Sequence, residues 1–218
     1  MEGADRAQRL KVFRILTVVG LALTSLSFFT PMWWVSLEAP NYPEATFPDG
    51  VKILMHWNGV RNGCQPRESE EVYEEEGLEC VEEMNTINHY IGMHPIERGA
   101  QIEFALSPYL FALSGVLLVL ALFYSGRFWG LLFLPGILLP VGFLTDFVAW
   151  LWWFGHNLNE WAAFSVKPFM PTVLGEGKVA QFSTYAYPDY GFALCVVGSA
   201  GLLVAFLLRR KDLRETSS

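Results

Sequence analysis

The chain has 218 residues, a net charge of −7, 52% hydrophobic and 15% aromatic residues, and a positive mean hydropathy. Its apolar residues stand in long blocks instead of recurring at periods of 2 or 3.6, which points away from an ordinary soluble domain. The acidic balance excludes a nucleic-acid binder, because a phosphate backbone recruits Lys and Arg.

The first block runs from about Val12 to Val35 and ends in Pro31, Met32, Trp33 and Trp34. About 20 apolar residues suffice to cross a ~30 Å hydrocarbon core as a helix, and inside lipid only a helix satisfies the backbone of one such segment. Arg6, Arg9 and Lys11 precede the block and Arg14 stands in its first turn, as in a signal peptide. Its length and its Pro-Met-Trp-Trp end, in place of small residues at a cleavage site, favour a retained helix.

A long acidic segment follows, from Leu37 to Glu103, with fourteen acidic residues against four basic ones. Its part from Leu37 to Gly50 is rich in Pro and Gly and reads as an ordered, non-helical strap. Val51 to Val60 is a candidate strand, and Asn85 to Glu97 a helical turn or two, broken at Gly92 and Pro95. The acidic run Glu68 to Glu83 reads as a solvated insertion, with a cation-attracting mouth as the sharper alternative. Cys64 and Cys80 flank most of it; in an oxidising compartment they form a disulfide, and paired thiolate metal ligands are the other possibility.

The second block spans about Phe104 to Tyr124. The third spans about Phe128 to Phe154, with Pro135 and Pro140 expected to kink it. It holds Asp146, an intramembrane carboxylate that either faces the bundle interior as a proton or cation acceptor or is held by neighbouring hydroxyls. Residues Gly155 to Asp189 form a second loop, with Pro168, Pro171, Gly175 and Gly177 ahead of the run Lys178 to Tyr185. The fourth block spans about Tyr190 to Leu208 and contains Cys195, an expected packing residue.

Nine of the fifteen Lys and Arg residues lie in the N-terminal segment, the link at Arg127 and the tail from Arg209 to Arg214. The positive-inside rule therefore gives an N-in, C-in, multi-pass membrane protein. The expected fold is an all-α membrane protein: four transmembrane helices with a periplasmic cap formed by two outer loops, aromatic at its interface through Trp33, Trp34, Trp150, Trp152 and Trp153. The segments are 1–36 (N-terminus and helix one), 37–103 (first loop), 104–154 (helices two and three), 155–189 (second loop) and 190–218 (helix four and tail).

All four histidines, His56, His89, His94 and His156, fall in the loops, as do Met55, Met84, Met93 and Met170. Imidazole is the commonest transition-metal ligand and thioether sulfur suits Cu(I). His89 and Met93 share a face if their segment is helical, and His94 follows; these three make a candidate copper centre, with His56 and His156 next. The bland reading is that histidines avoid lipid, and that His89 is a hydrogen-bonded hinge and His156 a helix cap. No paired CxxC, HExxH, catalytic triad, P-loop, dinucleotide fingerprint or CxxCH occurs, so no enzyme is expected.

Several loop sequences, Ala39-Pro-Asn-Tyr-Pro-Glu44, Ile87-Asn-His-Tyr-Ile-Gly-Met93, Gly155-His-Asn-Leu158, Lys167-Pro-Phe-Met-Pro171 and Gly177-Lys-Val-Ala-Gln-Phe182, resemble small four-helix bacterial membrane proteins encoded beside nitrous oxide reductase genes. The resemblance implies an accessory role in copper delivery or electron supply to a periplasmic copper enzyme, with a periplasmic or membrane protein partner. The segment Arg61 to Glu83 departs from that pattern. Four helices, a large first loop, Trp33 or Trp34, and Cys64 with Cys80 also resemble claudin-type barrier proteins, although the Gly-Leu-Trp element is missing and the cysteine spacing is too long. Two further expectations stand beside these: a metal-free structural subunit of a membrane redox complex, and a small transporter using Asp146.

Overall fold

A computed structural model describes residues 2–64, 78–163, 166–179 and 181–217. Most of the acidic run, residues 68–77, lies outside the described residues. Among the described residues, four helices are long and apolar enough to cross a membrane: Asp5–Ser27, Gln101–Phe123, Trp129–His156 and Tyr190–Glu215. In each, only 22–33% of the most apolar window is buried within the protein. The remaining apolar surface needs a non-aqueous neighbour, the mark of a multi-pass membrane protein.

The chain divides into two compact units. Unit 1 comprises residues 1–30, 106–144 and 190–218. Its frame is the pair of helices α1 (Glu2–Ser27) and α5 (Tyr190–Ser217). They approach closely because glycines meet. A Cβ on Gly198 would lie 2.9 Å from Thr24 Cγ2 and 3.1 Å from the Gly20 carbonyl oxygen. Small residues let backbones pack at this range where lipid removes any hydrophobic drive between helices. Phe13, Leu118, Phe133 and Leu202 are fully buried around them. Ser199 donates to the Gly136 carbonyl at 2.7 Å, an interhelical bond in the same layer. At the charged end, buried Asp212 accepts from Arg6 at 2.8 Å and Arg209 at 3.0 Å, and Arg9 bridges Asp5 and Glu215.

Unit 2 comprises residues 31–105 and 145–189 and contains what an all-α expectation lacks, a five-stranded antiparallel sheet. Its strands are β1 (Trp33–Glu38), β2 (Val51–His56), β3 (Gly59–Asn62), β4 (Gly175–Val179) and β5 (Phe182–Pro188), in the order β3-β2-β1-β5-β4. Both loops thus enter one sheet, joined where β1 pairs with β5, Val35 opposite Ala186. The candidate strand Val51–Val60 is here a hairpin, turning at Trp57 and Asn58.

The end of the first block is corrected. Helix α1 stops at Ser27, and Trp33 and Trp34 belong to β1 instead of a membrane helix. Pro31 supplies no N–H and disfavours helix in the residue before it, and the Trp-Trp-Val run suits a strand. Trp33 is 3% exposed and packs on Phe147 at 5.6 Å, so it is a core residue and not part of an interfacial belt. The third block also begins differently. Residues Trp129–Phe133 form a 3₁₀ turn before α4 (Leu134–His156), which places Pro135 in the first turn, where its missing N–H costs nothing; Pro140 lies inside the helix. Helix α3 (Gln101–Phe123) contains Pro108.

Helix α2 (Cys80–Tyr90) starts earlier than expected and packs on β2. It buries Cys80, Met84, Ile87 and Asn88, the i, i+4, i+7, i+8 stripe of an amphipathic helix. Cys64 and Cys80 form a disulfide. Asn62 reinforces that closure: its Oδ1 accepts from the N–H of Cys64 at 3.0 Å and of Cys80 at 3.2 Å, and its Nδ2 donates to the Leu78 carbonyl at 2.6 Å. The Pro-rich strap is tied to α2 by Tyr42, which donates to Glu83 at 2.9 Å. Burial first, and then that bond, push the Tyr42 phenol up to about 12.

Candidate functional site

The chemistry-bearing side chains of unit 2 sort into an aromatic rim and an apolar cavity. The rim gathers where α2 ends and the second loop begins. Gly92 makes this possible. It adopts φ +81°, and a Cβ there would lie 2.9 Å from both Ala162 Cβ and the Asn159 carbonyl oxygen. Its carbonyl accepts from the Asn159 backbone N–H at 2.7 Å and side chain at 3.1 Å, which locks the two loops together.

Three of the four histidines lie on this rim, each against a tryptophan. His89 packs on Trp161 at 4.2 Å, His94 stacks on Trp153 at 5.2 Å, and His156 stacks on Trp152 at 4.5 Å. Their protonation differs by partner. His94 Nδ1 accepts from Arg98 at 3.2 Å, and a guanidinium can only donate. The neutral ring therefore carries its proton on Nε2 and offers no Nε2 lone pair. Burial first, and then the Arg98 charge, hold His94 below the usual histidine range. His156 is the opposite case: its Nδ1 donates to the Trp152 carbonyl at 2.8 Å, which leaves the Nε2 lone pair outward on an exposed ring. That pattern is how ligating imidazoles are held.

The proposed face shared by His89 and Met93 does not form. Helix α2 ends at Tyr90, and the Gly92 turn sends Met93 into the hydrophobic core, 9% exposed, while His89 stays exposed. His56 is elsewhere, on β2 opposite Gly59, 6% exposed, with Nδ1 lacking a hydrogen-bond partner. Burial first, and then Arg61, lower its pKa, with Asp189 opposing. The structure sets His89, His94 and His156 each against a tryptophan, while His56 lies on β2 and Met93 in the core. Among the described residues no group of three His, Cys, Asp or Glu side chains converges as a metal site.

The cavity has a volume of about 120 Å³ and lies between the sheet, α2 and the last turns of α4. Met55, Met84 and Met93 line it, so three of the loop methionines share a chamber that none of their spacings announced. Asp146 is half-buried on α4, with Trp150 and Glu103 the side chains that act on it. Sequence reasoning did not single out Trp161, Asn159 or Asn62. For Trp161 and Asn159 the signal was the density of Trp and Asn around Gly155; Asn62 had none.

No family model, no curated protein and no solved structure matches this chain.

Proposed function

We propose that this is a non-enzymatic accessory protein of a bacterial inner membrane, with both ends in the cytoplasm. Its periplasmic unit docks a copper-handling partner, in the service of nitrous oxide reductase assembly. The topology is supported by the Arg6–Asp212–Arg209 cluster, which holds the start of α1 beside the end of α5, and by the positive charge of both segments. Cys64–Cys80 suits an oxidising compartment.

The observation that carries the docking reading is the rim of three histidine–tryptophan pairs, with Trp152 52% and Trp161 55% exposed. Tryptophan is enriched among the few residues that dominate binding energy, and a half-exposed indole held by its neighbours is already ordered for contact. Docking is favoured over a private copper centre because Met93 is in the core and His94 presents a proton at Nε2. His156 remains the imidazole best prepared to meet a metal carried by the partner.

The test is genetic and analytical. In a nitrous oxide-reducing host, Trp161→Ala with His89→Gln should lower the copper content of the reductase while its polypeptide level is unchanged. A reductase with full copper but no electron supply would instead make the protein a subunit of a redox complex. Tight stoichiometric Cu(I) on the purified protein, lost with His89→Gln and Met93→Leu, would restore the private site.

A further inference from the structure

We propose that the cavity of unit 2 holds the head-proximal segment of one hydrocarbon chain of an ester-linked membrane lipid, with the ester carbonyl accepting a hydrogen bond from the Asn88 amide. Its lining includes Ile53, Met84, Ile87, Phe154 and Phe182 and no Lys, Arg, Asp or Glu. A charged ligand would be desolvated there without a counter-ion, so the bound group is neutral. An apolar cavity of about 150 Å³ stays dry and takes up benzene, so one of 120 Å³ suits a hydrocarbon segment of similar size and not a water cluster.

One polar group gives the cavity an orientation. Asn88 is 7% exposed, lines the cavity, and its side-chain amide makes no hydrogen bond among the described residues. A buried amide without a partner costs free energy, and a carbonyl oxygen on the ligand would satisfy its N–H. The other two polar lining residues, Thr172 and Thr184, bond to each other, which leaves Asn88 as the free donor. The occupant's source follows from the wall. Leu151 and Phe154 belong to the last turns of α4, a membrane-length helix, so one wall of the cavity is part of a helix suited to lipid. Met55, Met84 and Met93 add flexible, polarisable walls that adapt to a chain with many conformers.

The experiment uses the full chain in phosphatidylcholine vesicles carrying a phosphatidylethanolamine with a diazirine near the head of one chain, attached by an ester or, in a second preparation, by an ether. After photolysis, labelled peptides are mapped by mass spectrometry. The ester probe should label the peptides holding Met84, Met93 and Phe182, and the ether probe, lacking the carbonyl, should label them several-fold less. Asn88→Leu keeps the helix stripe apolar and should erase the ester-over-ether difference. Ile87→Trp, filling the cavity, should abolish labelling by both, with the Cys64–Cys80 disulfide as the check that the unit has folded. Should Ile87→Trp fail that check, saturating unlabelled ester lipid replaces it and should compete the label away. Labelling confined to the helices of unit 1, equal labelling by both probes in the wild type, or displacement of the probe by a soluble quinone but not by ester lipid would overturn the proposal. None of these readouts depends on copper or on a partner protein.

Discussion

The closure of the acidic segment offers the sharpest test of how unit 2 is held. Its two ends are fixed by the Cys64–Cys80 bond and by Asn62. A disulfide with a separation of 16 residues removes enough unfolded-state entropy to stabilise by about 3 kcal/mol on the chain-entropy account. Asn62→Ala removes bonds to both cysteine N–H groups and to the Leu78 carbonyl, which at partial solvent exposure costs about 2 kcal/mol. The two should couple. With the disulfide intact, the chain ends stay near each other and losing Asn62 costs only hydrogen bonds. With both cysteines replaced by alanine, Asn62 is the remaining closure, and its loss lets the start of α2 fray. Seven of the eight tryptophans lie in unit 2, so fluorescence during denaturant titration of the full chain in micelles reports this unit. Asn62→Ala is expected to cost at least ~1 kcal/mol more in the cysteine-free protein than in the oxidised one. Additive costs, or a cysteine-free protein within ~1 kcal/mol of the wild type, would refute the account of a doubly closed loop.

Three other outcomes follow from the same structure. Asp212→Ala strands the largely buried Arg209 guanidinium, its side chain 13% exposed, and should destabilise unit 1 by about 3 kcal/mol, read as loss of the α1–α5 pairing in a cysteine cross-linking assay. Gly198→Leu should separate the same helices, because its first side-chain atom would already press on Thr24 and the Gly20 carbonyl; a properly paired, equally stable variant would refute the close approach. Unit 2 should weaken in mild acid. His56 and His94 both have folded pKa values lowered from 6.5, so the unfolded chain binds protons first; their contribution is complete above 6.5 and is lost as pH falls from there through their lower folded values. His56→Gln should flatten the acid limb of the melting-point curve.

The four membrane-length helices were legible because their signal is length and composition, which tertiary context does not alter. The sheet was not, for a physical reason. Strands β1 and β5 carry aromatic runs close to helix blocks, so Trp33-Trp34-Val35 reads as the end of one span and Tyr185-Ala186-Tyr187 as the approach to another. What separates strand from helix there is Pro31 and a pairing between residues some 150 positions apart, and pairing over such a distance leaves no periodic trace in either partner. The turn at Gly92 was legible as a breaker, but its consequence was not. Breaking the helix does more than end it. It reverses the side chain of Met93, so a spacing of four that on a helix would join two ligands instead sends one outward and one into the core.

The histidines carry that reasoning one step further. Composition grouped them between the apolar blocks and treated them as equivalent donors, whereas His56 lies on β2, His89 on α2 and His156 at the end of α4. Their neighbours make them unlike: a guanidinium on Nδ1 turns His94 into a donor, a backbone carbonyl on Nδ1 turns His156 into an acceptor, and His56 is enclosed beside β3. Both deciding contacts are local, Arg98 four residues after His94 and Trp152 four before His156, so the asymmetry was present in the sequence once an ordered turn at each place was granted. It follows that converting His94 to an acceptor needs only the removal of its donor. In Arg98→Ala, Nδ1 no longer faces a compulsory donor, both tautomers become accessible, and the lowering of its pKa by the Arg98 charge disappears, so the ring should titrate closer to 6.5. Nitrogen chemical shifts of His94 across a pH titration would show both effects. An unchanged Nε2–H tautomer and an unchanged midpoint would mean that stacking on Trp153 and the contact with Asn159, not Arg98, set the state of this ring.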